Sequence, residues 1–402
     1  MNNLFQYIKG DKTIWAVIAL MALFSFLPVY RSSSNRAYLY GNGHTILFLI
    51  KQGAHLLLGV LIIYGVHRVP YHYFKGLSIL ALPIVVILLI ITIAQGTTIA
   101  GANASRWIQI PFIGLTFQTS SLAMVVLMAY VARYLSKIKD ETITFKESIL
   151  PLWVPVFIVI ALILPANFST AAIIFVMVTT LVFLGGYPLK YLGIILGAGL
   201  LCLTLFVLTA KAFPDLLPNR VDTWISRIDS FTDGSNTEEA YQIEKAKIAI
   251  ASGGIAGLGP GKSVQKNFLP QSSSDFIYAV IVEEFGLFGG LFVMLLYLLL
   301  LFRLVIISHK APSAFAKLLA IGVGMPIVFQ ALINMGVAVE LFPVTGQTLP
   351  LISSGGTSIW MTCLALGIVL SVSAGKKEEP INEESTEETE GENPLEILSK
   401  TI

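Results

Sequence analysis

Charged residues are scarce in this chain. They make up 12% of its 402 residues, whereas soluble globular proteins carry about 25%. The net charge is only +2, and no nucleic-acid-binding motif is present, so we expect no nucleic-acid partner. The two cysteines, Cys202 and Cys363, offer neither a disulfide framework nor a metal-ligand spacing. We interpret both as packing residues of apolar segments.

Apolar residues are abundant instead, at 55% of the chain, and the mean hydropathy is +0.79. A helix needs roughly 20 mostly apolar residues to cross the hydrocarbon core of a bilayer. Ten segments meet this need, which predicts an all-α polytopic membrane protein with about ten transmembrane helices. The segments are 14–30, 46–66, 76–95, 118–135, 149–164, 168–186, 190–210, 274–307, 316–340 and 350–374.

The distribution of lysine and arginine predicts the orientation. An even number of spans places both termini on one side, and most basic residues of the short connecting segments fall on that side. Short cytoplasmic loops carry such an excess, so we expect both termini in the cytoplasm. The short loops on the other side hold only Arg31, Arg36 and Arg106, with Lys51 near the end of a span.

These features divide the chain into a cytoplasmic N-terminus (1–13), a transmembrane domain (14–375) and an acidic tail (376–402). The tail has few aromatic residues and is predicted to be disordered in the cytoplasm. Residues 211–273 form a large extracytoplasmic loop between the seventh and eighth helices. Within this loop, Tyr241–Ala251 alternates apolar and charged residues in a pattern typical of a helix lying on the membrane surface.

Three carboxylates mark the start of the eighth span, in "SSSDFIYAVIVEEFG". Asp275 stands at its outer end, where it is either the N-cap residue or a catalytic base. Glu283 and Glu284 lie inside the apolar run, either hydrogen-bonded in the bundle or part of a proton or ion path. Asp275 and Glu283 would be about 12 Å apart along a helix, beyond the roughly 5–9.5 Å of paired glycosidase carboxylates. We therefore expect Asp275 to act alone.

Other polar groups are ambiguous when taken singly. Arg106 in the outer loop 96–117 suits either snorkelling or phosphate binding, and Trp107 beside it suits an interfacial anchor. The stretch "GGIAGLGPGKS" (253–263) lacks the spacing of a nucleotide-binding P-loop, although its amides and Lys262 could bind a pyrophosphate. The glycine pair in "LPLISSGGTS" (349–358) could serve only helix packing.

The order of these motifs is more specific than any one of them. "GANASRWI" and "FQTSS", then "YQIEKAKIAIASGGIAGLGPGKSVQKNFLPQSSSDFIYAVIVEEFG", then "NMGVAVELFPVTGQTLPLISSGGTS" together resemble the SEDS family of shape, elongation, division and sporulation proteins, of the RodA and FtsW type. The resemblance spans residues 10–375. It implies a peptidoglycan glycosyltransferase that polymerises lipid II, an undecaprenyl-pyrophosphate-linked disaccharide-pentapeptide, on the outer face of the bacterial cytoplasmic membrane. The acidic tail and "PVTGQTLPLISSGGTS" favour a division-type member acting at the septum.

The same resemblance implies roles for individual residues. The essential aspartate of the family falls on Asp275, which would act as general base in an inverting transfer that releases undecaprenyl pyrophosphate. Glu283 and Glu284 would be supporting polar groups in the membrane. No protein metal site is expected, although a divalent cation (Mg²⁺ or Mn²⁺) could share the charge of the leaving group. The expected substrate-binding residues are Arg106, Trp107, Gln118, Lys262, Ser263, Lys266, Ser353, Ser354, Gly355 and Gly356.

This sequence also departs from the family pattern. Ser121 and Asn167 stand where the family has Glu and Asp, Met124 replaces a Lys, and Ser169 replaces a Gly, so we assign no role to the missing charges. The rival hypothesis is a lipid II flippase that uses Glu283 and Glu284 as polar steps, and a third is a non-catalytic scaffold. The resemblance implies a class B penicillin-binding protein, a transpeptidase, as partner, with other divisome or elongasome proteins.

Overall fold

The computed structural model describes residues 9–32, 45–95, 98–99, 102–103, 107–109, 116–139, 144–212, 238–269 and 272–375. The acidic tail and residues 213–237 and 270–271 of the loop 211–273 therefore lie outside the described residues. Within these ranges, helices account for most of the chain, and the expected helical architecture is confirmed.

The long helices coincide with apolar runs of the sequence. A π-helical turn, Ile149–Trp153, joins α5 to α6 without a break. The helices are α1 (Lys12–Ser32), α2 (Thr45–Val66), α3 (Tyr73–Gln95), α4 (Thr119–Lys137), α5 (Phe145–Ser148), α6 (Val154–Ile163), α7 (Phe168–Leu184), α8 (Leu189–Ala212), α9 (Glu238–Gly253), α10 (Ile277–Lys310), α11 (Ala314–Ala338) and α12 (Thr357–Ala374).

Two short antiparallel hairpins lie between α3 and α4. The first pairs β1 (Thr98–Ile99) with β2 (Ala102–Asn103). The second pairs β3 (Trp107–Gln109) with β4 (Thr116–Gln118), and Gln118 leads directly into α4.

Eight of the described helical segments are long and apolar enough to cross a membrane, counting Phe145–Ile163 as one. Two shorter apolar helices, Phe168–Leu184 and Leu189–Cys202, fall where the sixth and seventh spans were expected. The protein is a multi-pass membrane protein. The number of ten spans and the cytoplasmic position of the termini stay predictions.

The centre of the bundle is formed by α4, α11 and α12. Between 61% and 67% of the residues in their apolar windows are buried inside the protein, compared with 22% for α2 and 28% for α3. Because lipid covers whatever protein does not, α2 and α3 are peripheral. Small residues let helices approach closely. A Cβ at Gly367 of α12, for example, would lie only 2.9 Å from Val66 Cβ of α2.

One end of the bundle is fastened by Asp11. Its carboxylate accepts hydrogen bonds from the backbone N–H groups of Thr13 (2.9 Å) and Ile14 (3.0 Å) at the start of α1, and it pairs with Arg303 of α10. Its own N–H donates to Ser373 Oγ of α12 at 2.9 Å. Burial raises the pKa of Asp11, but the hydrogen bond from Arg303, the Ile14 amide and the positive charge of Arg303 outweigh it and hold the pKa below its usual value.

The sequence pattern had indicated that helix α9 presents its apolar face to lipid. In the structure this face packs against protein instead. Its residues Ile243, Ala246 and Ala249 are buried against the first turns of α10 and the end of α11. The amphipathic pattern was read correctly, but it reflects burial of one face against protein, which a pattern alone cannot distinguish from burial in a bilayer. Its polar face carries the ion pair between Lys247 and Glu340, at 2.6 Å.

Candidate active site

Asp275 lies in the turn that precedes α10. The helix begins at Ile277 with Phe276 as its N-cap residue and no side-chain cap hydrogen bond, so the alternative in which Asp275 is the N-cap residue is not observed. The side chain of Asp275 is partly exposed, whereas the three residues before it, Ser272, Ser273 and Ser274, are buried. Asp275 is therefore a partly accessible residue at the end of a segment that is itself enclosed.

The loop before α12 holds this segment in place. The hydroxyl of Ser353 donates to the carbonyl of Ser274 at 2.6 Å and accepts the N–H of Leu349 at 2.8 Å. The backbone N–H and the hydroxyl of Ser354 both donate to the carbonyl of Ser273, each at 2.9 Å. Ser353 and Ser354, expected to bind substrate, thus use these groups to position the backbone next to Asp275.

Asn334 of α11 is a second support, which sequence reasoning missed. Its Nδ2 donates to the carbonyl of Asp275 and to that of Gln347, both at 2.7 Å, and the side chain is buried. Gln347 in turn donates through Nε2 to Thr170 Oγ1 at 3.0 Å, in the first turn of α7. The one signal in the sequence was an amide side chain inside an otherwise apolar helix, which must find partners when buried.

The β3–β4 hairpin reaches the same loop. Trp107 pairs with Gln118 in the hairpin register. Thr357, the first residue of α12, donates its hydroxyl to the carbonyl of Thr116 at 3.0 Å and accepts the N–H of Gln118 at 3.3 Å. Gly356 turns the chain into α12 with a φ of +55°, which favours glycine. Trp107, Gln118, Gly355 and Gly356 are therefore brought together next to the segment that carries Asp275, while Arg106 lies outside the described residues.

A groove opens where the hairpin meets α4. It is lined by Thr92, Thr119, Ser120 and Asn167 together with apolar residues of α3 and α6. The hydroxyls of Thr92 and Thr119 are 3.0 Å apart, and Gln118 Nε2 donates to Ser120 Oγ at 3.3 Å. Asn167, one of the departures from the family pattern, accepts the N–H of a residue in the first turn of α7. This amide therefore caps the N-terminus of α7.

Glu283 binds the glycine-rich loop that precedes Asp275. Its side chain is 1% exposed. One carboxylate oxygen accepts the N–H groups of Val264 (2.9 Å) and Gln265 (3.2 Å), and the other accepts the hydroxyl of Ser263. Of the two interpretations from sequence, hydrogen bonding in the protein interior is the one observed. The hydroxyl proton of Ser263 is therefore donated to Glu283.

Backbone contacts extend the attachment over about one turn of α10. Leu258 N–H donates to the carbonyl of Glu283 at 2.9 Å, and Leu287 N–H donates to the carbonyl of Gly254 at 2.9 Å. At Gly286 the helix is kinked, with a φ of 66° and a ψ of −165°. A Cβ at Gly286 would lie 2.2 Å from the carbonyl oxygen of Ile255. Only glycine allows this approach, so the kink and the loop depend on each other.

The two loop lysines differ in their contacts. Lys266 Nζ donates to the carbonyl of Gly261 at 3.2 Å, so its ammonium group is held by the loop itself. Lys262 is exposed. Ser263 is bonded to Glu283, and Lys262 and Lys266 lie in the same loop. Ser353 and Ser354 instead bond the residues just before Asp275, so the expected site residues form two groups.

The lipid-facing surface of α10 begins after the kink. All its exposed large apolar side chains lie between Leu287 and Val305, a rise of about 28 Å for 19 residues, close to the roughly 30 Å of a hydrocarbon core. Every residue from Ile277 to Gly286 is covered at least in part by protein. Glu283 and Glu284 therefore lie in the part of α10 that other protein segments cover, and their depth in the membrane stays a prediction.

Metal ligands are sparse in the part of the chain that the structure describes. No group of three or more His, Cys, Asp or Glu side chains there could hold a metal ion. These residues do not supply a complete set of protein ligands for a divalent cation, and no step below is assigned to one.

The fold and the site define a multi-pass membrane protein with a polar site at one end of its helical bundle. Residues 11–378 match the family model FTSW_RODA_SPOVE, described as "Cell cycle protein". The chain belongs to this family, as the motifs had indicated.

Curated relatives cover most of the chain. It is 33% identical to the probable peptidoglycan glycosyltransferase FtsW of Nitrosococcus halophilus, over 82% of this chain and 84% of that protein. It is 31% identical to the protein of the same name from Coxiella burnetii, over 91% of this chain and 97% of that protein.

Solved structures share the fold. A chain of a peptidoglycan synthase complex, described in terms of the structural coordination of polymerization and crosslinking, superposes with a TM-score of 0.70 at 25% identity, over 92% of this chain and 99% of that one. The rod shape determining protein RodA of Thermus thermophilus gives 0.65 at 23% identity, over 92% and 98%.

Proposed function

We propose that the protein is a peptidoglycan glycosyltransferase that polymerises lipid II into glycan strands on the outer face of the bacterial cytoplasmic membrane, at the division septum. The observation that supports this proposal is the enclosure of the Asp275 segment, whose backbone is bound by Ser353, Ser354 and Asn334 while Asp275 itself stays partly exposed. A base that must meet a large substrate needs both properties, because a misplacement of 1 Å can cost about 10²-fold in rate.

In the proposed reaction, Asp275 takes the proton of the acceptor 4-hydroxyl as that oxygen bonds to the anomeric carbon of the donor. The bond between that carbon and the pyrophosphate oxygen breaks, undecaprenyl pyrophosphate leaves, and the configuration inverts. The leaving group is already anionic, so it needs positive charge more than a proton. Arg106 is expected to supply that positive charge. It directly precedes β3 in the sequence, and β4, the strand paired with β3, contacts the start of α12.

The rival flippase hypothesis relies on Glu283 and Glu284 as polar steps. Glu283 already accepts three hydrogen bonds from the loop that precedes Asp275, which favours a structural role for it. We further propose a class B penicillin-binding protein as the crosslinking partner, because a structural relative belongs to a complex that coordinates polymerization with crosslinking.

The test is polymerisation of labelled lipid II by the purified protein together with its transpeptidase partner. Asp275→Asn should lower the rate by about 10²–10⁴-fold, the usual contribution of a general base, while lipid II still binds. Glu244→Gln is the matched control, because it makes the same carboxylate-to-amide change at a side chain on α9 that is 64% exposed. Full activity of Asp275→Asn would refute the assignment. If neither protein makes glycan but lipid II crosses vesicle membranes, the flippase hypothesis replaces it.

A further inference from the structure

The loop between α9 and α10 exposes apolar side chains that no described part of the protein covers. In the stretch 254–268, which we name the clasp loop, Ile255 is 68% exposed, Leu258 39%, Val264 54% and Phe268 50%. Contiguous exposed apolar surface on a protein marks an interaction site. The question is what covers it.

The position of the clasp loop on α10 answers that question. Leu287, the first exposed apolar residue of α10, is the residue whose N–H donates to the carbonyl of Gly254. Its neighbour Phe288 is 69% exposed. The apolar side chains of the loop are therefore anchored to the very residue at which the lipid-facing surface of α10 starts.

The polar groups of the clasp loop fit the same environment. Backbone groups that enter the edge of a bilayer must be satisfied within the protein. The N–H groups of Leu258, Val264 and Gln265 are bonded to Glu283. Lys262 lies between Leu258 and Val264 in the sequence and is exposed. A lysine at the membrane interface can bury its methylenes while its ammonium reaches lipid phosphate.

We propose that the clasp loop inserts into the outer interface of the bilayer, with Ile255, Leu258, Val264 and Phe268 in the region between headgroups and acyl chains and Lys262 at the level of the phosphates. Its partner is the lipid surface itself. The loop ends seven residues before Asp275, so this attachment fixes the site at the membrane surface, where any lipid-linked substrate must arrive. The proposal concerns a surface and is independent of the proposed activity.

The test measures the depth of nitroxide spin labels in vesicles of phosphatidylcholine and phosphatidylglycerol. The full chain carries Cys202→Ala to remove the exposed thiol; Cys363 is buried. Single cysteines then replace Ile255, Val264 or Phe268. We expect each label to collide more with oxygen than with a water-soluble nickel chelate, because oxygen partitions into the bilayer.

Two further label positions calibrate the measurement. Phe292 on the lipid-facing surface of α10 should give the deepest label and Glu244 on the polar face of α9 the shallowest. A label at Lys262 should lie between those at Phe268 and Glu244.

Two results would overturn the proposal. Loop labels as accessible to nickel as the one at Glu244 would place the loop in water. Loop labels shielded from both reagents would show that protein, from a second copy or another segment, covers it. Since every substitution replaces an exposed side chain and no catalysis is measured, neither result depends on Asp275.

Discussion

Replacing Glu283 with alanine should release the clasp loop from α10. The carboxylate accepts three hydrogen bonds, from Ser263, Val264 and Gln265. Hydrogen bonds to a charged group contribute about 1.5–3 kcal/mol each, so losing three costs at least about 4.5 kcal/mol if they are independent. Because 1.4 kcal/mol is a factor of ten, local opening of the loop should become about 10³-fold more frequent.

Amide hydrogen exchange measures this opening directly. In Glu283→Ala, protection at Val264 and Gln265 should fall by about 10³-fold, while the centre of α11 keeps its protection. Polymerisation of lipid II should fall as well, because the loop leads into Asp275. Glu283→Gln should keep most of both, since its amide oxygen can still accept the two N–H groups and its amide nitrogen can donate to Ser263.

A second substitution separates the carboxylate from the attachment. A Cβ at Gly257 would lie 2.3 Å from the carbonyl oxygen of Glu284, so Gly257→Ala should detach the loop with Glu283 intact. If both alanine variants behave alike, attachment is what matters. If Glu283→Gln is as inactive as Glu283→Ala while loop amides stay protected, the charge itself is required. That result would refute the structural role and favour a proton path.

Two other predictions concern supports farther from the loop. Asn334→Ala removes the hydrogen bonds that this side chain donates to the carbonyls of Asp275 and Gln347, at about 1–3 kcal/mol each, and should lower polymerisation at least tenfold. The control Gln330→Ala, which removes only contacts to Thr348, should lower it less. Equal losses would contradict the positioning role. Asp11 has a lowered pKa in the fold, so its stabilisation is present above the unfolded value of about 3.9 and disappears as pH falls through the folded value. Thermal unfolding should show wild type above Asp11→Asn in Tm at neutral pH, with the gap closing below about pH 4; a constant gap would contradict the ion pair with Arg303 as its cause.

Most of the helical architecture was predictable because hydrophobic runs are a local property of the chain. The predicted spans 190–210 and 316–340 correspond to Leu189–Ala212 and Ala314–Ala338. The helix Tyr241–Ala251 was also predicted, within a few residues of its observed bounds. Its environment was not, since an apolar face looks the same whether lipid or protein covers it.

The sequence by itself determined the membrane class, the succession of helices and, through its motifs, the family, while the role of Asp275 stays a prediction. Only the tertiary structure decided what the other polar residues do. Glu283 meets residues 18 to 20 positions earlier, and Ser353 meets a carbonyl 79 positions away. Such contacts depend on how helices pack and where α10 bends at Gly286, and no local pattern records that geometry. Ser353 and Ser354, which were expected to bind substrate, therefore also hold the segment that precedes Asp275.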